Sequence, residues 1–159
     1  EVATGEAGEI CVRASHVMAE YWKRPDITAE TLRSGWLHTG DIARKDERGY
    51  MFILDRKKDM IVSGGFNIFP REVEDVLSQH ADVAMVAVVG VPDDKWGETP
   101  CAFVELKPGA KATSDELIAW CKKHLAGYKV PRHVVFGEVP KTSTGKIQKF
   151  KLRDRAKGV

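Results

Sequence analysis

The chain contains 159 residues, of which 43% are hydrophobic and 30% charged, and its formal net charge at pH 7 is +2. These values are typical of a globular protein, and so small a net charge gives no overall field that favours nucleic acid or a membrane surface. The cysteines (Cys11, Cys101 and Cys121) are odd in number and far apart, which argues against a disulfide framework or a metal site and indicates a reducing, cytoplasmic compartment. No apolar run reaches the length of a transmembrane helix.

The first third of the chain predicts strands and one short helix. The segment EICVRA (9–14) alternates apolar and polar residues, as a half-buried strand does. Pro25 and the acidic residues after it favour a helix over 25–32. Two further strands flank the polar turn KDERG (45–49). Because the strand pattern starts almost at once and no methionine precedes it, we expect the chain to be part of a longer protein.

Consecutive charged residues, DRKKD (55–59), follow the last of these strands. Burial of so many charges would cost a large amount of free energy, so this segment predicts an exposed connector and a domain boundary. The chain therefore divides into residues 1–55, a connector at 56–59 and a second domain at 60–159.

The second domain begins with a predicted hairpin. The segment MIVSGGFNIF (60–69) places two glycines between apolar runs. Pro70 then starts a helix with an apolar stripe at helical spacing. The nearly continuous apolar run at 83–91 indicates a strand that is buried on both faces. Further strands are predicted at 100–106 and 133–136.

Two more helices complete the second domain. Over residues 113–127, Thr113 and Glu116 predict a capping box at the start, and Gly127 predicts a glycine cap at the end. The residues after Lys146 predict one short basic helix. This order of elements predicts an α+β fold, in which a β-hairpin plus a three-stranded sheet are packed against flanking helices.

The segment PKTSTGKIQK (140–149) combines small hydroxyl residues, a glycine and Lys146, as phosphate-binding loops often do. It does not fit the nucleotide P-loop, because that pattern requires a glycine at Pro140 and a serine or threonine at Ile147. From the residues alone, Lys146 is either an exposed lysine on a turn or a phosphate ligand of another kind. The surrounding segment 141–157 is basic, which suits either a polyanionic ligand or a solvated helix.

Five stretches occur in order along the chain: HTGD (38–41), GYMFILDRKKDMIVSGGFNIFPREVEDVL (49–77), VPDDKWGE (91–98), YKVP (128–131) and PKTSTGK (140–146). Together they closely resemble the adenylate-forming acyl-CoA synthetase family, which includes luciferases and the adenylation domains of peptide synthetases. The resemblance implies that residues 1–55 are the last β-strands of a large N-terminal domain, that 56–59 is a hinge, and that 60–159 is the mobile C-terminal α+β domain.

The resemblance implies the activity of an ATP-dependent carboxylic acid–CoA ligase for fatty acids or aryl acids. In the family, a carboxylate attacks the α-phosphate of ATP, which is accompanied by Mg, and forms acyl-AMP; the thiol of CoA then displaces AMP. The implied partners are a carboxylic acid, ATP, CoA and the N-terminal domain, with no nucleic acid. Because the family's phosphate loop and acid pocket lie upstream of these motifs, we expect the chain alone to be inactive, and its sequence does not identify the acid.

The motifs also imply roles for individual residues. Lys146 matches the catalytic lysine of the first step, where an ammonium stabilises charge that develops at the α-phosphate. Asp41 and Arg56 match nucleotide ligands, and Lys58 matches the hinge position. The implied CoA-binding residues are Ser63, Gly64, Gly65, Trp96, Tyr128 and Lys129. The chain departs from some relatives in having Val130 in place of a basic residue, which leaves Lys129 or the basic tail to supply the positive charge.

Three other interpretations stay open at this point. An adenylation domain that loads the phosphopantetheine of a carrier protein would use the same residues. A luciferase-like oxidation of the adenylate is also compatible with them. A non-catalytic α+β module whose basic tail binds an anionic partner belongs to a different class, and salt-dependent binding of nucleic acid would be its signature.

Overall fold

The computed structural model describes residues 1–158, which form two compact units. The first unit spans Glu1–Lys58 and the second begins at Asp59. The division therefore falls inside the segment 56–59 for which a hinge is predicted. Arg56 still belongs to the preceding strand, and a short 3-10 turn, Lys57–Asp59, follows it. The mobility of this segment stays a prediction.

The first unit is a three-stranded antiparallel sheet with one short helix. Its strands, in the order β1-β2-β3, are β1 (Ala7–Val12), β2 (Leu37–Lys45) and β3 (Met51–Arg56). Helix α1 (Pro25–Thr31) starts at Pro25, as the sequence predicts. Within this unit only Ile42 and Ala43 are buried among the hydrophobic residues. The unit therefore has very little core of its own.

The second unit contains one mixed sheet of five strands. They are β4 (Ile61–Ser63), β5 (Phe66–Ile68), β6 (Val83–Asp93), β7 (Gly97–Leu106) and β8 (His133–Phe136). The order is β5-β4-β7-β6, and β8 pairs in parallel with β7. The predicted hairpin and the predicted three-stranded sheet are thus joined, because Ser63, the last residue of β4, pairs with Gly97, the first residue of β7. The α+β prediction is confirmed.

Two helices cover one face of this sheet. They are α2 (Pro70–Ser78) and α3 (Ser114–His124). Val73, Leu77 and Leu117 project from them into a common apolar cluster and are fully buried. The apolar stripe predicted for the helix after Pro70 therefore forms the core of this unit.

The third helix, α4 (Lys149–Arg155), packs against the opposite face of the sheet, where Leu152 is fully buried in a second apolar cluster. Successive residues of β6 alternate between the two clusters, and residues 87–89 are all fully buried. The prediction of a strand covered on both faces is confirmed. None of the helices described in residues 1–158 is long and apolar enough to cross a membrane.

The two ends of α3 differ in how well their residue types predict them. The capping box is present, because Glu116 N–H donates to Thr113 Oγ1 and Thr113 N–H donates to Glu116 Oε2 at 2.8 Å. The prediction that Gly127 caps the end of α3 is wrong. The chain leaves the helix at Leu125, in extended conformation, and Leu125 packs against the first apolar cluster. We interpret the packing of this partly buried leucine as the reason why the helix ends before Gly127.

Candidate functional site

Asp41 and Arg56 are direct neighbours across strands β2 and β3. Arg56 Nε lies 3.3 Å from Asp41 Oδ1, and the side chains are 62% and 29% exposed respectively. The backbone N–H of Asp41 donates to Thr39 Oγ1 at 3.1 Å, which restrains the backbone at Asp41. A hydrogen-bond acceptor and a forked donor therefore stand side by side at an accessible position, an arrangement that suits a ligand with hydroxyl groups beside a phosphate.

An open hollow of about 480 Å³ lies next to this pair in the first unit. Its wall includes Arg56, the 3-10 turn residues Lys57 and Lys58, and Arg33. The carboxylates of Glu9 and Glu30 line the same hollow, so its wall carries charges of both signs. Lys58, the predicted hinge position, is exposed and is the last residue of the first unit.

A cluster of potential metal ligands is also present on this sheet. Glu9, Cys11 and His38 each place one ligand atom within 4.8 Å of the others. However, Lys57 Nζ and Arg33 Nη2 lie 3.0 and 3.2 Å from the same Glu9 oxygen. Burial would raise the pKa of Glu9, but hydrogen bonds from His38 and Lys57 outweigh it, and the pKa is lowered. Because permanent cations already neutralise this carboxylate, we interpret the cluster as an ion-pair network.

The predicted Ser63-Gly64-Gly65 segment forms the tight turn between β4 and β5. Gly64 and Gly65 have φ values of +56° and +84°, which favour glycine and match a two-residue hairpin turn. Gly64 N–H donates to the carbonyl oxygen of Trp96 at 2.8 Å. A Cβ atom at Gly64 would lie 2.6 Å from the Trp96 ring. The structure therefore brings the turn and Trp96, which are distant in sequence, into direct contact.

A hollow of about 530 Å³ in the second unit is lined by Ser63, Trp96 and Tyr128, three of the residues predicted to bind CoA. The rings of Tyr128 and Phe66 lie 4.9 Å apart in a tilted arrangement, and both side chains are exposed; we call this pair the aromatic platform. The Arg132 guanidinium lies 5.7 Å from the centre of the Trp96 ring and lines the same hollow. Aromatic faces beside a cation suit a nucleotide-like ligand.

Sequence reasoning missed several residues of this hollow. They are Phe66, Lys122 and Arg132. Arg132 directly follows the YKVP motif, so the signal for it was a basic residue two positions beyond Val130. Phe66 directly follows the predicted Ser63-Gly64-Gly65 segment, so its position was also a signal. Lys122 lies in α3, and no local pattern connects it to the hollow.

Lys129 does not line the hollow. Its Nζ atom lies 2.7 Å from both carboxylate oxygens of Glu72, and its side chain is 19% exposed. This ion pair neutralises the charge that the sequence offers to CoA at Lys129. Val130 is itself buried and lines the hollow with an apolar surface. The cations that line the hollow are Lys122 and Arg132, and the Arg132 guanidinium also lies 3.4 Å from a carboxylate oxygen of Asp93.

Lys146 lies on a closed turn before α4. Thr142 N–H donates to the Lys146 carbonyl at 2.8 Å, Lys146 N–H donates to Thr142 Oγ1 at 3.1 Å, and Gly145 has φ +84°. A bridge between Lys141 and Ile147 closes the base of the turn. The segment is thus a turn that is closed by its own hydrogen bonds. Among residues 1–158, no hydrogen bond or ion pair engages the exposed Lys146 ammonium.

The cysteines of the second unit are unsuited to nucleophilic chemistry. Burial raises the pKa of both Cys101 and Cys121 to about 11. Both thiols are therefore protonated at neutral pH, and both side chains belong to the apolar clusters.

Known proteins resemble this chain in sequence over most of its length. Residues 72–146 match the model of the AMP-binding enzyme C-terminal domain. A long-chain-fatty-acid–CoA ligase of Salmonella typhimurium is 55% identical over 159 residues, which cover 99% of this chain and 28% of the ligase. A feruloyl-CoA synthase of an Amycolatopsis species is 50% identical over 97% of this chain and 32% of the synthase. The chain thus spans about 30% of the length of these relatives.

Solved structures share this fold. ATP-bound MatB from Rhodopseudomonas palustris superimposes with a TM-score of 0.90 at 35% identity, over 98% of this chain and 31% of MatB. The o-succinylbenzoate CoA synthetase MenE of Bacillus subtilis, in complex with its acyl-adenylate, gives 0.86 at 38% identity, over 96% and 31% of the two chains. The amide bond synthetase McbA of Marinactinospora thermotolerans gives 0.86 at 41% identity, over 97% and 32%.

Proposed function

We propose that the chain is the C-terminal portion of an adenylate-forming acyl-CoA synthetase and that it serves an ATP-dependent carboxylic acid–CoA ligase. The observation that carries the proposal is the 55% identity to a long-chain-fatty-acid–CoA ligase across 159 residues. The whole enzyme would join a carboxylic acid to CoA, with cleavage of ATP to AMP and pyrophosphate. Fatty and aryl acids are the two substrate classes that the relatives' names support.

In the first half-reaction, the carboxylate oxygen of the acid forms a bond to the α-phosphorus of ATP, and pyrophosphate leaves. Asp41 would accept hydrogen bonds from the ribose hydroxyls, and Arg56 beside it would donate to the nucleotide. Lys146, whose ammonium has no partner in residues 1–158, would stabilise the negative charge that develops between the carboxylate and the phosphate. Mg would neutralise charge on the ATP phosphates.

In the second half-reaction, the sulfur of CoA attacks the acyl carbon, and AMP leaves with the electrons of the acyl–phosphate bond. The hollow of the second unit supports a CoA site, because it combines an aromatic platform (Phe66 and Tyr128) with the cations Arg132 and Lys122. The turn at Gly64 and Gly65 lets backbone approach a thin ligand closely. We propose that pantetheine passes this turn while the CoA nucleotide lies on the platform.

The hinge and the missing partner domain complete the proposal. Segment 56–59, with Lys58 at its centre, would let the second unit present Lys146 in one step and the CoA hollow in the next. The sparse core of the first unit, with only Ile42 and Ala43 buried, supports packing against a larger N-terminal domain. That domain would carry the acid pocket, so the chain alone would be inactive. The free cysteines support a cytoplasmic location.

The acyl acceptor is the part of this proposal with a rival. The structural likeness to an amide bond synthetase at 41% identity shows that this fold also occurs in an enzyme that makes amides. Phosphopantetheine on a carrier protein would use the same thiol arm as CoA. We favour CoA because the platform and its two cations would serve the nucleotide portion, which neither an amine nor a carrier protein contains.

The experiment compares the two half-reactions in the enzyme that contains this chain. Lys146→Ala is expected to abolish pyrophosphate release with acid and ATP, while supplied acyl-adenylate is still converted to acyl-CoA. Lys151→Ala is the matched control, because Lys151 is an exposed lysine of the same basic segment, and both half-reactions should survive it. Equal loss of both half-reactions in Lys146→Ala would contradict the assignment.

A further inference from the structure

Helix α4 begins just after the turn that carries Lys146, so whatever fixes the helix also fixes the turn. The turn and the helix are continuous, because Gln148 N–H donates to the Pro140 carbonyl at 2.8 Å and α4 starts at the next residue. One side of the helix is held by apolar packing of Leu152 and Ala156, which are 0% and 4% exposed. Apolar contacts are non-directional, so they hold the helix against the sheet without fixing its rotation.

Two ion pairs hold the other side of α4. Arg153 pairs with Asp59, and the side chains are 36% and 12% exposed. Lys149 Nζ lies 2.8 Å from Glu74 Oε1, with side chains 17% and 19% exposed. Lys149 and Arg153 are four residues apart and therefore lie on the same face of the helix. Hydrogen-bonded, partly buried ion pairs are directional, so they fix the rotation of the helix about its axis.

The two acidic partners lie at the start of the second unit and on helix α2. Asp59 is the first residue of that unit and directly follows the predicted hinge residue Lys58. Glu74 lies on α2, and its Oε1 atom also accepts the backbone N–H of Val88 in β6 at 2.7 Å. Lys149 is therefore fastened to the helix layer and to the edge of the sheet through one carboxylate.

We propose that Arg153 and Lys149 are positioning residues for Lys146. They connect the turn that carries Lys146 to Asp59, beside the predicted hinge, and to Glu74, which links α2 to β6. Rotation at 56–59 would therefore move the Lys146 ammonium together with the rest of the second unit. Neither residue touches the reacting atoms in this scheme; each acts through the placement of Lys146. The inference rests on the proposed function and adds the coupling between hinge and catalytic lysine.

The test measures both half-reactions of the whole enzyme in Arg153→Ala. Adenylate formation is expected to fall between about tenfold and a hundredfold in kcat, because a misplacement of about 1 Å can cost about 10²-fold. KM for ATP and thioester formation from supplied acyl-adenylate should stay within about twofold. Lys157→Ala is the matched control, because its ion pair with Asp154 is exposed (76% and 66%) and holds no other element; it should change neither half-reaction.

Two further variants separate positioning from loss of structure. The exchange Asp59→Arg with Arg153→Asp keeps the opposite charges and should recover most of the adenylation rate. In a double-mutant cycle, Arg153→Ala should add no further loss to the residual adenylation rate of Lys146→Ala, measured at high enzyme concentration, because its effect passes through Lys146. Additive losses in the cycle, equal losses in both half-reactions, or an unchanged Arg153→Ala enzyme would each overturn the inference. Retention of adenylation by Lys146→Ala itself would instead refute the proposed function.

Discussion

The contact between Gly64 and Trp96 gives a prediction whose magnitude follows from the structure. Substitution of Gly64 by alanine places a left-handed backbone on an L-residue, which costs about 1–2 kcal/mol. The new Cβ atom would also lie 2.6 Å from the Trp96 ring, so the ring must move. The ring makes cation–π contacts with Lys95 and Arg132, whose charged groups lie 4.7 and 5.7 Å from its centre. Each exposed cation–π contact contributes about 0.5–1 kcal/mol, so the displacement costs about 1–2 kcal/mol more.

Gly109→Ala supplies the matched control for this prediction. Gly109 has φ +81°, and a Cβ atom there meets nothing within 4 Å. It therefore incurs the backbone strain without the clash. The free energy of opening is measured by hydrogen exchange of the β6 and β7 amides, which report on the second unit as a whole. Gly64→Ala should lower it by about 1–2 kcal/mol more than Gly109→Ala does.

Activity provides the second readout for the same pair of variants. Displacement of Trp96 distorts the hollow that we assign to CoA, so thioester formation should fall in Gly64→Ala while pyrophosphate release with acid and ATP is preserved. Gly109→Ala should preserve both half-reactions. Equal destabilisation by the two variants, together with unchanged thioester formation in Gly64→Ala, would refute the reasoning from the clash.

Three further outcomes are expected. A Cβ atom at Gly65 meets nothing within 4 Å, so Gly65→Leu should cost only the backbone strain of its φ of +84°, about 1–2 kcal/mol. Pyrophosphate exchange should persist while thioester formation from supplied acyl-adenylate is blocked. Iodoacetamide at neutral pH should label the exposed Cys11 but not Cys101 or Cys121, whose pKa burial raises to about 11; mass spectrometry of the native protein would show any reaction of the buried pair. A backbone hydrogen bond from Thr113 lowers the pKa of Glu116 below 4.5. The stability that this carboxylate contributes is therefore complete above pH 4.5 and is lost as the pH falls through the lowered pKa. Urea titrations at several pH values should show no such loss in Glu116→Gln.

Local sequence signals predicted most elements of the second unit correctly. Two adjacent glycines between apolar runs specify the hairpin turn, because positive φ is needed at both positions. The capping box of Thr113 and Glu116 is likewise local, since both partners lie within one helical turn. The glycine cap at Gly127 failed because a competing requirement, the burial of Leu125, acts through tertiary packing that no local pattern contains.

The candidate site was predictable only in part, and the reason is the same. Motif positions identified Ser63, Trp96 and Tyr128, which the fold does bring into one hollow. The pairing of Lys129 with Glu72 joins residues that are 57 positions apart, and only the fold shows that it removes this lysine from the hollow. Arg132, two residues beyond Val130, lines the hollow instead and also pairs with Asp93.

The parallel pairing of β8 with β7 has a consequence for synthesis of the protein. Residues 101–104 of β7 pair with residues 133–136 of β8, and α3 lies between them in sequence. On the ribosome, β7 therefore emerges well before the strand that completes it. Throughout that interval an apolar edge, CAFV, presents unpaired N–H and C=O groups that a second nascent chain can join. The order of elements thus leaves this edge open to aggregation until β8 emerges.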